Sequence, residues 1–202
     1  MIPLSAILGE LRWLNLHENE IGADLMRAPF VCFAVCFVLT SVTPVRAQQS
    51  APLAAVPTGF QLPGAFTCEG AFGNGKVHRS TFTGAVVLAD KWLQLTEQDV
   101  EPKGYVGTYM IGYDAAQTQL VEFDANNFGA ATYSSANGWK GGVLTMTSPV
   151  SADPKSPYVA NRFVYSITGS DTFTVDWQIS RTAALAWIGA DHLVCKRNSA
   201  GA

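Results

Sequence analysis

The sequence predicts an all-β fold, an antiparallel up-and-down barrel of about ten strands, and three observations carry that expectation. Runs of alternating apolar and polar residues recur from Gly64 to Arg197, each bounded by residues that turn the chain. Most of the breaks are too short for anything but a hairpin, so neighbours in sequence become neighbours in the sheet. A twisted sheet of that many strands closes or splits, and unbroken hairpins favour closure, with the first and last strands lying side by side.

The middle of the chain shows the pattern best. Leu120–Asp124, Gly129–Ser135 and Val143–Ser148 read as strands, separated by Asn126-Asn127 and Asn137-Gly138, residues that tolerate the positive φ of narrow turns. Upstream, Ala65–Phe72 places Phe66, Cys68 and Phe72 on one face and Thr67 and Glu69 on the other. Gly73-Asn74-Gly75 turns the chain into His78–Leu88, where Phe82, Val86 and Leu88 share a face. Trp92–Asp99 and Tyr105–Tyr113 follow, after turns at Ala89-Asp90 and Pro102-Lys103-Gly104. Downstream, Pro149, Pro154 and Pro157 cannot join a hydrogen-bond ladder, so this stretch is a loop and a candidate flap over one barrel mouth. Asn161–Ile167 and Thr172–Ser180 make a hairpin across Gly169-Ser170-Asp171, and His192–Arg197 ends the fold. In the second of that pair Phe173, Val175, Trp177 and Ile179 alternate with polar residues, the mark of a sheet with one dry and one wet face.

Composition sets the outer limits. The chain has 202 residues, 48% of them hydrophobic, enough for one domain with a core at 64–197. Its net charge of -3 is scattered, and without a basic stripe to neutralise phosphates nucleic acid is excluded as a partner.

The first part of the chain carries an export signal. Met26 and Arg27 precede an apolar run from Phe30 to Leu39, and Val45 and Ala47 occupy the two positions a signal peptidase reads, so residues 26–47 are expected as a signal peptide. The apolar run is about half the ~20 residues that a membrane span needs, so no stable membrane anchor is expected after cleavage. Residues 1–25, with Glu18, Glu20 and Asp24 ahead of the basic residue, are read as an extension upstream of a true start at Met26. A helical extension with Leu11, Leu14 and Ile21 on one face is the alternative. Proline-rich residues 48–63 are expected as a flexible tail and 198–202 as a C-terminal tail, and the protein is placed in the periplasm or the secreted fraction.

Cys32 and Cys36 would leave with the signal. Cys68, in the first strand, and Cys195, in the last, then remain as an exported pair expected to form one disulfide across the barrel seam.

Catalytic signatures are missing. Gly70 to Lys76 matches the opening of a phosphate-binding loop, but Val77 and a strand follow where a hydroxyl and a helix are needed. No G-x-S-x-G, H-E-x-x-H or Cys-His arrangement occurs, so no catalytic residue, metal ligand or cofactor is assigned. His78 and His192 begin two strands with no carboxylate cluster beside them in sequence, and a hydrogen-bonded structural role is the default for both. Glu122, Asp124 and Asp176 are the carboxylates expected at the interior or its rim, with a solvated outer face as the other account of the first two. The aromatics Tyr105, Tyr109, Tyr113, Tyr133, Tyr165 and Trp177, with Arg162 as a fixed cation, are the candidate ligand-binding residues. They would suit a small apolar molecule with an anionic or polar end; bracing of the core is the competing account.

Gly64-Ala65-Phe66 stands where lipocalins carry Gly-x-Trp on the first strand, and Lys196-Arg197 stands where they set a cation against that ring. On these residues the chain resembles the lipocalin-like (calycin) superfamily, most closely its small secreted bacterial barrels of unassigned function. The resemblance implies a ligand cavity. Two alternatives accompany it: a structural or interaction module with a filled core, and a haem-binding barrel in which a histidine holds the iron.

Overall fold

The computed structural model describes residues 51–60 and 62–199. The expected extension, the signal peptide and Cys32 and Cys36 lie outside the described residues. Ten strands follow one another: β1 Gly64–Phe72, β2 Val77–Val87, β3 Trp92–Glu101, β4 Val106–Asp114, β5 Gln119–Asn126, β6 Gly129–Ser135, β7 Val143–Thr147, β8 Ala160–Ile167, β9 Thr172–Ser180 and β10 Trp187–Arg197. They close into an antiparallel up-and-down barrel in which β1 meets both β2 and β10. No helix is present among the described residues, and none is long and apolar enough to cross a membrane.

Two departures from the expected strands have local causes. β2 stops at Val87, and Leu88, expected on the inner face, is 65% exposed in a turn where Leu88, Ala89 and Asp90 all take positive φ. β10 begins at Trp187, ahead of the expected His192, because a bulge between Gly189 and Asp191 breaks the alternation that marks a strand in sequence. The bulge also re-phases the strand: Trp187 pairs with outward Ser180, whereas Asp191 pairs with inward Trp177.

Cys68 lies directly opposite Cys195 in the β1–β10 ladder, and the two are bonded with their Cα atoms 4.0 Å apart. Closing a loop of this length contributes ~2–4 kcal/mol. A buried disulfide in a domain of this size implies an oxidising, extracytoplasmic environment. The ladder is uneven elsewhere, since β6 and β7 register only through Ser134 and Thr147.

The barrel is solid at the end where the chain enters and leaves. Phe66, Phe82 and Phe173 meet edge to face there, at centroid distances of 5.0 and 6.1 Å from Phe173, with Leu93, Leu95, Ile111, Leu120 and Leu193 around them. The segment read as a flexible tail supplies part of this core. Phe60 and Leu62 are buried, Phe60 sits 6.3 Å from Phe173, and Trp139 Nε1 donates a 3.0 Å hydrogen bond to the Ala55 carbonyl. A Cβ on Gly84 would collide with the Leu62 carbonyl, so glycine is what lets the segment cross β2. The Arg197 guanidinium lies 4.6 Å over the Phe66 ring and donates to the Pro63 carbonyl at 2.8 Å, fastening the same end.

Candidate functional site

Along the strands the inward rows change character. β3 points Leu93 and Leu95 inward at the solid end, then Glu97 and Asp99; β5 points Leu120 inward, then Glu122, Asp124 and Asn126; β2, read backwards, runs Phe82, Ser80, His78. The register keeps the alternation intact while the residues turn from apolar to polar, so every polar member is forced into the interior at the opposite mouth. There the barrel is hollow. A cavity of about 500 Å³ is walled by eight aromatic side chains and reached by the carboxylates of Glu97, Asp99, Asp124 and Asp191. Among the described residues, no lysine or arginine lines it. A second hollow, of about 510 Å³, lies at the other end beside Leu53, Phe60, Trp139 and Ile167, and no titratable group lines it among the described residues.

Two polar clusters organise the first cavity. In one, His78 is buried, stacked 4.4 Å from Phe72, and held at both nitrogens: Nδ1 2.7 Å from Asp191 Oδ2 and Nε2 2.9 Å from Asp99 Oδ1. Burial alone would lower the affinity of this imidazole for its proton. The hydrogen bonds to Asp191 and Asp99 and their charges outweigh burial and raise the pKa from 6.5 to about 9, so the ring is a cation at neutral pH with both N–H groups donating. In the other cluster, Tyr105 OH donates to the Tyr109 oxygen at 2.7 Å, and Tyr109 OH donates to Glu97 Oε2 at 2.7 Å. Burial pushes the Glu97 carboxyl up to about 7, against the opposing pull of Tyr109 and the His78 charge. A carboxyl set there can give or take a proton at neutral pH. Gly107 makes room for this chain of hydroxyls, because a Cβ there would sit 2.5 Å from the Tyr105 hydroxyl.

Glu122 lies deeper, fully buried, where Tyr165 OH donates to its Oε2 at 3.3 Å and its Oε1 has no partner. Burial, reinforced by the Asp124 charge, pushes its carboxyl up to about 8. Asp124 accepts from Asn126 Nδ2 at 3.0 Å, and burial raises its pKa too. Burial likewise raises Tyr105, Tyr109, Tyr133 and Tyr165, which stay neutral.

The candidate ligand-binding residues separate into groups. Tyr105, Tyr109, Tyr133 and Trp177 line the cavity. Tyr165 is wholly buried and touches the chemistry through Glu122, whereas Tyr113 packs against the core at the solid end. Arg162 is not the pocket's cation. It alternates with inward Asn161 and Phe163, so it faces outward, where Nε donates to Gln178 Oε1 at 2.7 Å and the guanidinium lies 4.4 Å over Trp187. Asp176 also faces outward, paired with His192 Nδ1 at 2.7 Å. Glu122 and Asp124 are interior rather than on a solvated face.

The histidines differ from the expectation as well. His78 does have carboxylates around it, brought by β3 and β10 rather than by its own stretch of sequence. His78, Glu97 and Asp99 offer ligand atoms within 4.8 Å of one another, the mixed nitrogen and oxygen set a divalent cation could use. Both His78 nitrogens are already spent on carboxylates, so the group is built as a buried ion-pair cluster. His192 stands outside the barrel, and neither histidine presents an unengaged nitrogen to the cavity.

Glu97, Asp99 and Asp191 escape the sequence reading. Their signal was the strand alternation itself: Leu93, Leu95, Glu97 and Asp99 keep one period, and following it through the change of polarity would have placed both carboxylates inside. Asp191 lacks even this clue, because the bulge obscures its phase. The loop between β7 and β8 does reach this mouth, where Tyr158 lines the cavity and packs edge to face on Trp177 at 6.0 Å.

No protein-family model and no curated protein matches the chain. Among solved structures, the backbone is similar to the crystal structure of Rv2717c from M. tuberculosis, with a TM-score of 0.49 and 14% sequence identity, over 68% of this chain and 93% of that one.

Proposed function

We propose that this chain is a small-molecule-binding barrel of the periplasm or the secreted fraction, lipocalin-like in design, that takes one largely apolar molecule into its open mouth. The observation that carries this reading is the unequal filling of the cylinder. Between the strands one half is packed beneath Phe60 and Leu62, and the hollow beside that cap is lined by no titratable group among the described residues, while the other half keeps about 500 Å³ open behind rings of which Tyr105 and Tyr109 have their hydroxyls committed to partners. A module with a filled interior has no use for such a space, and keeping carboxylates beside it is costly unless something occupies it. The disulfide supports the extracytoplasmic location.

Native mass spectrometry after gentle purification, with a screen of lipids and aromatic pigments, tests the reading. A bound species of small mass is expected, and it should be lost when Ala131→Trp fills the cavity in a protein whose far-ultraviolet circular dichroism is unchanged. Binding that survives the filled cavity, or no bound species from any source, removes the reading.

A further inference from the structure

Resting on the binding reading above, the geometry points to a ligand whose polar end is a cation: we infer that the cavity selects an ammonium group carried on an apolar body, seated between Glu97 and Asp124 and walled by Tyr105, Tyr109, Tyr133 and Phe163. The sequence alone pointed to an anionic or polar end because Arg162 was counted as a pocket residue, and the fold turns that side chain away.

The assignment follows from counting charges around the space. Four carboxylates reach the cavity, and the one cation among the described lining residues, His78, is consumed by two of them, Asp99 and Asp191. Glu97 and Asp124 remain, each accepting only from a neutral donor, the Tyr109 hydroxyl and the Asn126 amide. A ligand carboxylate or phosphate would face the Glu97 and Asp124 carboxyls here with no lysine or arginine among the described lining residues to offset them, and the hydroxyls of Tyr105 and Tyr109 already donate elsewhere. An ammonium supplies what is missing: donors for carboxylate oxygens and a charge for the ring faces.

The rings are disposed to take such a group. Tyr109 and Tyr133 both meet the Phe163 ring edge to face, at 5.6 and 5.1 Å, which turns their planes at steep angles to that of Phe163 around one space. Steeply crossed rings beside a carboxylate form a cage for an alkylated or aryl-bearing ammonium. Phe128 stands at the rim, 78% exposed and stacked on Tyr105, placed to cover the apolar body of an occupant.

Three molecules of one shape and different charge provide the test: tryptamine, its neutral analogue tryptophol and its anionic analogue indoleacetate, titrated calorimetrically into the intact exported protein at neutral pH. Tryptamine is expected to bind roughly ten- to a hundredfold more tightly than tryptophol, the range that a charge-assisted hydrogen bond and ring contacts supply, and indoleacetate not at all. Glu97→Gln and Asp124→Asn keep side-chain shape, and each is expected to erase most of that preference while leaving tryptophol affinity in place. Equal binding of tryptophol and tryptamine, or tighter binding of indoleacetate, overturns the cation assignment and leaves the cavity reading standing. Silence from all three removes both. A preference for tryptamine that both variants retain also overturns the proposal, since the charge would then be recognised elsewhere.

Discussion

Replacing Glu122 by glutamine should make the protein's stability less sensitive to alkali, and the size of the effect can be worked out from the site. Unfolded, this carboxyl has an ordinary pKa of 4.5; folded, burial and the neighbouring Asp124 charge hold it at about 8. Between those values the folded chain keeps a proton that the unfolded chain has released, so stability falls as pH rises through this window and is highest below it. Each pH unit is worth about 1.4 kcal/mol, which gives ~4 kcal/mol lost from this one group between about pH 5 and pH 9. The titratable groups that interact with it are Asp124 on its own strand, Tyr105 just before β4, Tyr133 on β6 and Tyr165 on β8, and all remain in the variant. Glutamine never ionises, although its buried amide leaves a donor to satisfy, at roughly 1–3 kcal/mol. The expected outcome is therefore a crossing. In urea unfolding, Glu122→Gln should be less stable than the wild type near pH 5, and more stable by roughly 1–3 kcal/mol near pH 9. A difference between the two proteins that stays constant from pH 5 to pH 9 would refute the assignment of a buried, proton-holding Glu122.

Three further outcomes are expected. Reduction, or the pair Cys68→Ser and Cys195→Ser, should lower the free energy of unfolding by ~2–4 kcal/mol, read as an earlier urea midpoint. His78→Gln should cost ~3–5 kcal/mol near pH 6, because it strands Asp99 and Asp191 without their cation beside Glu97. The wild-type imidazolium contributes in full below pH 6.5 and its contribution fades as pH rises through about 9, so the gap between the two proteins should narrow over that range in thermal scans. Leu62→Ala should cost ~2–5 kcal/mol if the segment before β1 is part of the core, and a change within a few tenths would show that it is not.

The barrel was readable from the sequence because strand alternation and hairpin turns are local signals. Gly129–Ser135 and Thr172–Ser180 emerge with the predicted ends, and Cys68 and Cys195 meet as their places in the first and last strands require. The site was less legible, because what defines it is non-local. His78 gains its carboxylates from β3 and β10, which lie 21 and 113 positions away in sequence. Arg162 reads as a pocket cation until the β8 register turns it outward. Phe60 and Leu62 sit among prolines that hide any period, and only the packed end of the barrel shows what they cover. Alternation carried through a change in polarity was the one overlooked clue within reach, and it would have found Glu97 and Asp99.

The meagre pairing of β6 with β7 has a consequence for how the molecule moves. Across the circumference from the sulfur bond, Gly129 to Tyr133 keep hydrogen-bonded company on the β5 side alone. Backbone amides on either side of this gap should exchange with deuterium well before those of β1, β2 and β10. Since Ala130, Ala131 and Tyr133 also wall the hollow, any loosening along this seam is felt directly at the cavity wall.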